Sequence, residues 1–367
     1  MILMNDFKAE PRALRDSMLS AVSRVIESGW FVLGNEVEKF EREWAQVCGA
    51  TDAIGVGNGM DAIEIALRTL GVGSGDEVIT TPMTAFASVL AIIRVGATPV
   101  LADIDKDTGL LSIESVNRCV SKRTKAVLLV HVYGQIRSML SWQKLCDSNN
   151  IYLIEDCAQS HLASLNGKVA GTFGRIGAYS FYPTKNLGAL GDAGAIVTND
   201  GELAEHARCL RNYGQSERYY HPEIGMNSRL DEMQAAILSI RLKWLSEFTI
   251  RRQEIAQIYF DNLNNELINT MSQPEEAAAH VYHLFVITSQ KRNTLQEHLE
   301  DAGVKTLIHY PVPIHYQEPC KNIKQDKNGL KMSEIHAKTC LSLPCHPQMS
   351  NDDVNKVVDA VNTFRGK

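Results

Sequence analysis

Between about residue 50 and residue 200, short runs of Val, Ile, Leu and Ala alternate with stretches whose apolar residues recur every three or four positions. The runs predict strands at 53–56, 77–81, 98–102, 126–130, 152–156, 178–181 and 195–198. Between the first two, Met60, Ile63, Leu67 and Leu70 hold helical spacing up to Gly71, and Val89, Ile92 and Ile93 do the same ahead of Gly96. Strands alternating with helices predict an α/β fold with a central, mostly parallel seven-stranded sheet covered on both faces. In such sheets ligands bind at the carboxyl ends of the strands.

Further on, Ser228-Arg229-Leu230-Asp231-Glu232 has the form of a capping sequence and opens a helical stretch reaching Asn264, with Met233, Ala236, Ile237, Ile240 and Leu245 as its apolar positions. A helix this long suits a bridge between domains. After it, strands are expected at 283–288 and 306–310 and helices at 294–302 and 352–364. The chain therefore divides into a large domain, residues 1–245, and a smaller α+β C-terminal domain, residues 246–367.

Composition narrows the class. With 44% hydrophobic and 22% charged residues the chain is an ordinary globular protein, and its net charge of -6 offers nucleic acid no basic surface. Cysteines 48, 119, 146, 157, 209, 320, 340 and 345 lack C-x-x-C spacing, which suggests reduced thiols and a cytoplasmic protein. Cys340 and Cys345 with His336 and His346 fit no zinc spacing, so no metal is expected. The opening residues carry an acid almost at once and no long apolar stretch, so neither a signal peptide nor a membrane span is expected.

The strand at 152–156 ends in Glu155 and Asp156, and the one at 178–181 runs into Ser180-Phe181-Tyr182-Pro183-Thr184-Lys185-Asn186-Leu187-Gly188. A carboxylate that closes an apolar strand must reach solvent or find a partner. A lysine and an acid in one pocket would match the two charges pyridoxal phosphate needs, an amine to condense with its aldehyde and a carboxylate to keep its ring nitrogen protonated. Most lysines are solvated surface residues, and the neighbourhood is what sets Lys185 apart. Gly57-Asn58-Gly59-Met60-Asp61-Ala62 lies where a strand gives way to a helix, so free amides and the positive helix end suit a phosphate. A dinucleotide fingerprint is the rival, but no third glycine stands in Met60-Asp61-Ala62. Phe86 reads either as a core aromatic or as a ring stacked on a planar ligand. Gln159 is placed to donate to a ring hydroxyl oxygen, and Ser180 to hold phosphate through its own hydroxyl.

Together Asn58 to Ala62, Glu155-Asp156-Cys157-Ala158-Gln159-Ser160-His161, Ser180 to Gly188 with Gly191-Asp192-Ala193-Gly194-Ala195, and Asn227 to Ala236 resemble the DegT-type sugar-nucleotide aminotransferases. The resemblance covers nearly the whole chain, from Gly29-Trp30-Phe31-Val32-Leu33-Gly34 past His309-Tyr310-Pro311. It implies a fold-type I, aspartate aminotransferase-like enzyme that uses pyridoxal phosphate and works as a homodimer with each active site at the subunit interface. By motif, Lys185 would be the Schiff-base lysine, Asp156 the partner of the pyridine nitrogen and Gln159 that of the ring hydroxyl. Gly59, Met60 and Ser180 would hold the phosphate, joined by Asn227 from the partner subunit, and Phe86 would stack on the ring. Met60 stands where the family more often has Thr, so one hydroxyl contact is lost while the amide remains.

The family's cycle implies L-glutamate as amino donor, pyridoxamine phosphate at the halfway point and a keto sugar as acceptor, with Lys185 moving the proton in both halves. Its amine must be neutral when it acts, so a desolvated pocket should lower its pKa. Relatives that dehydrate the sugar at C-3 carry histidine at this position, which makes Lys185 a sign of transamination. The wording from Tyr182 to Gly194 is similar to the branch acting on nucleotide-linked 3-keto-6-deoxyhexoses. That implies dTDP-3-keto-6-deoxy-D-hexose as substrate and a dTDP-3-amino-3,6-dideoxyhexose, galacto or gluco, as product. Amination at C-4, a cysteine-processing lyase and a non-catalytic ligand-binding or regulatory protein on the same scaffold are the alternatives.

For the sugar nucleotide, Tyr182, Tyr213, Arg218 and Tyr219 supply rings and a cation suited to base and pyrophosphate, or simply belong to exposed loops. His309, Tyr310 and His315 either reach the sugar or the donor carboxylate, or pack the seam between domains.

Overall fold

The computed structural model describes residues 1–366. Its strands are β1 (Asp52–Val56), β2 (Glu77–Thr80), β3 (Thr98–Leu101), β4 (Thr124–Val130), β5 (Tyr152–Asp156), β6 (Ser164–Leu165), β7 (Lys168–Val169), β8 (Ile176–Ser180), β9 (Gly194–Thr198), β10 (Asn269–Thr270), β11 (Phe285–Thr288), β12 (Lys324–Gln325) and β13 (Cys340–Leu343). Eight of these form one sheet in the order β1-β9-β8-β5-β4-β2-β3-β12. Within it β9 runs against both of its neighbours, and every other pair is parallel.

Successive side chains of a strand point to opposite faces. Val127, Leu129, Leu153 and Val197 enter one core with Phe40 and Trp44, whereas Ala126, Leu128, Ile154 and Ile196 enter another with Ile63 and Leu67 of the helix Gly59–Thr69. Burial on both faces explains why these strands read as unbroken apolar runs. Each such Leu or Ile contributes roughly 1.5–3 kcal/mol relative to exposure. The sheet's register brings Val130 level with Asp156 and Asp156 level with Ala178, so the ends of β4, β5 and β8 open on a single crevice.

The helix Glu232–Asn262 places Leu238 and Leu245 in the first core and Ile255, Ala256 and Tyr259 in a C-terminal core. That C-terminal core is closed by the β10-β11-β13 sheet and by the helices Arg292–Asp301 and Asn351–Thr363.

The seven expected strands of the large sheet gain an eighth. β12 pairs with Val100 and Leu101 of β3, and Lys324 and Gln325 carry no apolar pattern that announces it. It is held by Lys324, whose ammonium donates to the buried Glu77 carboxylate at 3.0 Å, and by the next residue, Asp326, whose buried carboxylate accepts from Arg118 at 2.6 Å and Ser115 at 2.5 Å. The strand expected at 306–310 is absent, and only Leu307 bridges to Ser342. The carbonyl of His309 bonds the Tyr133 hydroxyl instead of a ladder partner, and Pro311 and Pro313 have no N–H to continue one. Nor does Ser228 cap the long helix. Its hydroxyl bonds Gly57 and Asp61, while the Glu232 carboxylate accepts the amides of Gly34, Glu36 and Val37 at 2.8 to 2.9 Å, capping the helix Asn35–Cys48.

Candidate active site

At the tip of β5 the two adjacent acids face opposite ways. Glu155 is filled by the chain itself, accepting from Gly171 at 2.8 Å and Gly174 at 2.7 Å and lying 2.8 Å from His131 Nε2. Asp156 is also buried, but it takes only the Ser88 hydroxyl at 2.8 Å and the Ala158 amide at 3.1 Å. Two carboxylate oxygens have about four acceptor positions, so Asp156 keeps capacity for a cationic partner. Thr84 Oγ1 lies 2.8 Å from Ser88 Oγ and, since Ser88 donates to Asp156, is the donor in that pair.

Lys185 sits half-buried in the turn that leaves β8, its amide bonded to the Tyr182 carbonyl at 2.8 Å. Asn186 secures this turn by donating to the Val281 carbonyl at 3.1 Å, with His283 Nδ1 3.2 Å from its side-chain oxygen. Desolvation lowers the Lys185 pKa to about 8, and the negative charge of Asp156 opposes that shift. His161 is enclosed by Trp44, Tyr179 and Phe181, and burial, then the Lys185 charge, push its pKa down to about 3. The imidazole is thus neutral at physiological pH.

The Gly59 end of the helix Gly59–Thr69 meets the end of β8. A Cβ on Gly59 would stand 2.5 Å from Ser180 Cβ and 3.2 Å from its hydroxyl, so the bare backbone is what permits the approach. Asn58 accepts from the Asp61 amide at 2.9 Å, and the Met60 side chain packs away into the second core. The first amides of a helix have no partner within it, which makes this corner an anion cradle. Asp61 stands beside it, with its carboxylate taken up by Ser228 at 2.7 Å and Asn58 at 3.0 Å. Asn227 is exposed, next in sequence to Ser228. Phe86 opens the helix Phe86–Arg94 and packs partly on Val89, Leu101, Ile314 and Leu330.

Gln159 is buried and lies between Tyr133 and Tyr310, 2.6 Å from the former's amide and 3.2 Å from the latter's hydroxyl. Burial, reinforced by Asp156, raises the Tyr310 hydroxyl to about 12, and burial with Lys185 lowers His309 to about 4. His315 instead faces Glu334 at 3.5 Å and the ring of Tyr316; burial lowers its pKa and Glu334 opposes. Tyr182 and Tyr213 are exposed, and Tyr219, 81% exposed, carries the Arg218 guanidinium 5.1 Å above its ring. Arg229 lies 5.1 Å over the Tyr213 ring. Cys340, Cys345, His336 and His346 have separate partners, His309, Arg252, Tyr133 and Gln348. Ser88, Tyr133 and His283 escaped the sequence reading. For Tyr133 a signal existed, since it lies three residues past the end of β4.

A dry acid beside a lysine held near neutrality, with an anion cradle on the next strand end, suits pyridoxal phosphate. Asp156 retains acceptor capacity for a ring cation, Lys185 has a usable amine, and the corner at Gly59 and Ser180 has the form of an anion cradle. Fold and site are thus those of a pyridoxal-phosphate-dependent transferase of fold type I. The chain belongs to the DegT/DnrJ/EryC1/StrS aminotransferase family, whose family model matches residues 13–362. It is 44% identical to the dTDP-3-amino-3,6-dideoxy-alpha-D-galactopyranose transaminase of Aneurinibacillus thermoaerophilus, with 99% of each chain covered. It is 42% identical to the dTDP-3-amino-3,4,6-trideoxy-alpha-D-glucose transaminase of Streptomyces venezuelae, over 98% of this chain and 95% of that one. The solved structure of S. venezuelae DesV superposes with a TM-score of 0.94 at 41% identity, covering 98% of this chain and 97% of that one. No helix among the described residues is long and apolar enough to cross a membrane.

Proposed function

We propose that the protein aminates C-3 of a dTDP-linked 3-keto-6-deoxyhexose with L-glutamate as donor, giving a dTDP-3-amino-3,6-dideoxyhexose. The observation that carries this reading is full-length similarity to two transaminases whose names both place the amine at C-3.

Bound pyridoxal phosphate supplies an aldehyde that condenses with amines and a protonated ring that accepts the electron pair left when a proton departs. Lys185 is the residue that anchors it. Once displaced, Lys185 Nζ would take the proton from the α-carbon of glutamate and pass it to the cofactor carbon that comes to bear the amine, and in the second half it would take a proton back from that carbon and deliver it to C-3 of the sugar. A pKa of about 8 suits both duties, because the amine is a base and a proton donor within one unit of physiological pH. Asp156 holds the ring nitrogen's proton, and Gln159 donates to the ring oxygen. The Gly59 and Met60 amides and the Ser180 hydroxyl bind the phosphate, with Asn227 of a second copy completing that contact. Phe86 would supply the ring face against which the cofactor stacks. Tyr182, Tyr213, Arg218 and Tyr219 contact the nucleotide and sugar, and residues 246–367, taken as the second domain, bring His309 and Tyr310 to the sugar side, with His315 turned to Glu334.

A homodimer with interfacial active sites is supported by exposed apolar groups at Trp30, Phe31, Val32, Tyr220 and Ile224, a set that a lone chain would leave in water. Eight free cysteines support a reducing, cytoplasmic setting. The test is incubation of the cofactor-loaded protein with L-glutamate and, in turn, dTDP-3-keto- and dTDP-4-keto-6-deoxyhexose. Release of 2-oxoglutarate with an amine at C-3 is the expected result. An amine at C-4, or no 2-oxoglutarate, overturns the assignment.

A further inference from the structure

Tyr133 follows β4 and holds a left-handed backbone, φ 66°, ahead of Gly134 at φ 97°. A non-glycine residue keeps such a conformation where its surroundings fix it. Here a Cβ on Gly134 would stand 2.8 Å from the Gln159 carbonyl and 3.0 Å from the His283 amide, so the turn is wedged between the two.

The turn aims the Tyr133 amide at Gln159. An N–H can only donate, so the atom 2.6 Å away must be the side-chain oxygen, and the Gln159 NH2 is forced to the opposite side, 3.2 Å from the Tyr310 hydroxyl. The far end of the residue acts on the same pair. The Tyr133 phenol is 2.7 Å from the His309 carbonyl and 2.8 Å from His336 Nε2. A carbonyl only accepts, so the single phenol proton goes to His309, and His336 Nε2 must carry a proton and donate it to the phenol oxygen. Burial lowers His336 to about 4 and raises the Tyr133 hydroxyl well above its usual value, so both stay neutral. The donors run one way, from His336 to Tyr133 to the carbonyl that immediately precedes Tyr310.

We propose that Tyr133 is a positioning residue for the transamination: its amide fixes Gln159 as a donor toward the cofactor ring oxygen, and its hydroxyl, oriented by His336 Nε2–H, fixes Tyr310. The proposal rests on the reading that Gln159 faces that oxygen.

Tyr133→Phe, His336→Leu, His336→Gln and Gln159→Ala would be compared as full-length, cofactor-loaded proteins. The readouts are the pH midpoint of the bound cofactor's visible spectrum and the rates of the two half-reactions. Tyr133→Phe and His336→Leu should retain cofactor, shift the midpoint and slow the keto-sugar half about tenfold, the effect of about one hydrogen bond. His336→Gln keeps an N–H donor and should recover most of the rate. Melting temperatures that fall while midpoints and rates stay put would reduce Tyr133 to a structural role and overturn the proposal. So would a His336→Gln as impaired as His336→Leu. An unmoved midpoint in Gln159→Ala overturns the underlying reading of Gln159. Tyr133→Phe keeps the amide and loses only the hydroxyl, so a midpoint that moves in Gln159→Ala while Tyr133→Phe changes neither midpoint nor keto-sugar rate removes the role of the hydroxyl and overturns the proposal. If Tyr133→Phe does not fold, the His336 pair decides.

Discussion

The strand-end pocket and the aromatic arm at residues 213–229 are built on opposite terms. In the pocket, Asp156, Gln159 and Asn186 are buried and already bonded within the chain, and Lys185 is held partly dry near neutrality. On the arm, Tyr219 and Ile224 are exposed, and Arg218 and Arg229 lie over the exposed rings of Tyr219 and Tyr213. One chain therefore preorganises the cofactor half of the site. The half that would meet the sugar nucleotide is left open to whatever ligand or second copy covers it. Preorganised groups act without reorganising at the moment of reaction, whereas open ones must first be ordered by binding.

Substitutions should separate the two regions. Lys185→Ala removes the amine common to both half-reactions and should lower 2-oxoglutarate release by about 10⁴-fold or more, while pyridoxamine phosphate still binds by fluorescence titration. Substantial residual turnover would break the contrast at its strongest point. Asp156→Asn should cost about 10²- to 10³-fold in the glutamate half-reaction by stopped-flow, since a charged contact to the ring nitrogen becomes a neutral one. A loss confined to the sugar half would contradict its placement.

Acidity gives the next largest effect. Because burial lowers the Lys185 pKa to about 8 from an ordinary value of 10.5, the apoprotein's amine is neutral above about pH 8 and protonated below it. Capture of pyridoxal phosphate should therefore quicken about tenfold per pH unit up to about 8 and level off above. A rise continuing to about pH 10 would mark Lys185 as an ordinary solvated lysine. The arm should give the smallest change. Arg218→Ala and Tyr219→Ala should raise KM for the keto sugar about five- to tenfold and leave the glutamate half-reaction untouched, as steady-state and single-turnover rates would show. Equal damage to both halves would mean that the arm is part of the pocket.

Much of this layout was legible in the chain. The strands of the large sheet are apolar runs because they are buried on both faces; Asp156 breaks such a run at a strand end, and Lys185 stands in the turn that follows another. β12 was not legible, since it is held by polar partners far away in the chain, Lys324 on Glu77 and Asp326 on Arg118, and not by an apolar pattern. The orientation of the Gln159 amide was equally hidden, because a backbone N–H from another strand end decides it. His315 has the composition of a sugar ligand, but its position beside Glu334 follows from how the segment after Pro313 docks, with Ile314 bonded to the Pro82 carbonyl.

By itself the sequence determined the alternation of strands and helices, the order of the acid, the lysine and the glycine cradle at successive strand ends, and the class of chemistry those groups support. Periodicity and strand termination are local properties, readable within a few residues. Only the tertiary structure decided which partner each polar group has. Ser88 reaches Asp156 across 68 residues, Glu232 reaches Gly34 across 198, and Tyr133 meets His336 across 203. Hydrogen bonding within the buried core is settled by whatever donor packing delivers, because a buried polar group cannot remain unpaired at low cost.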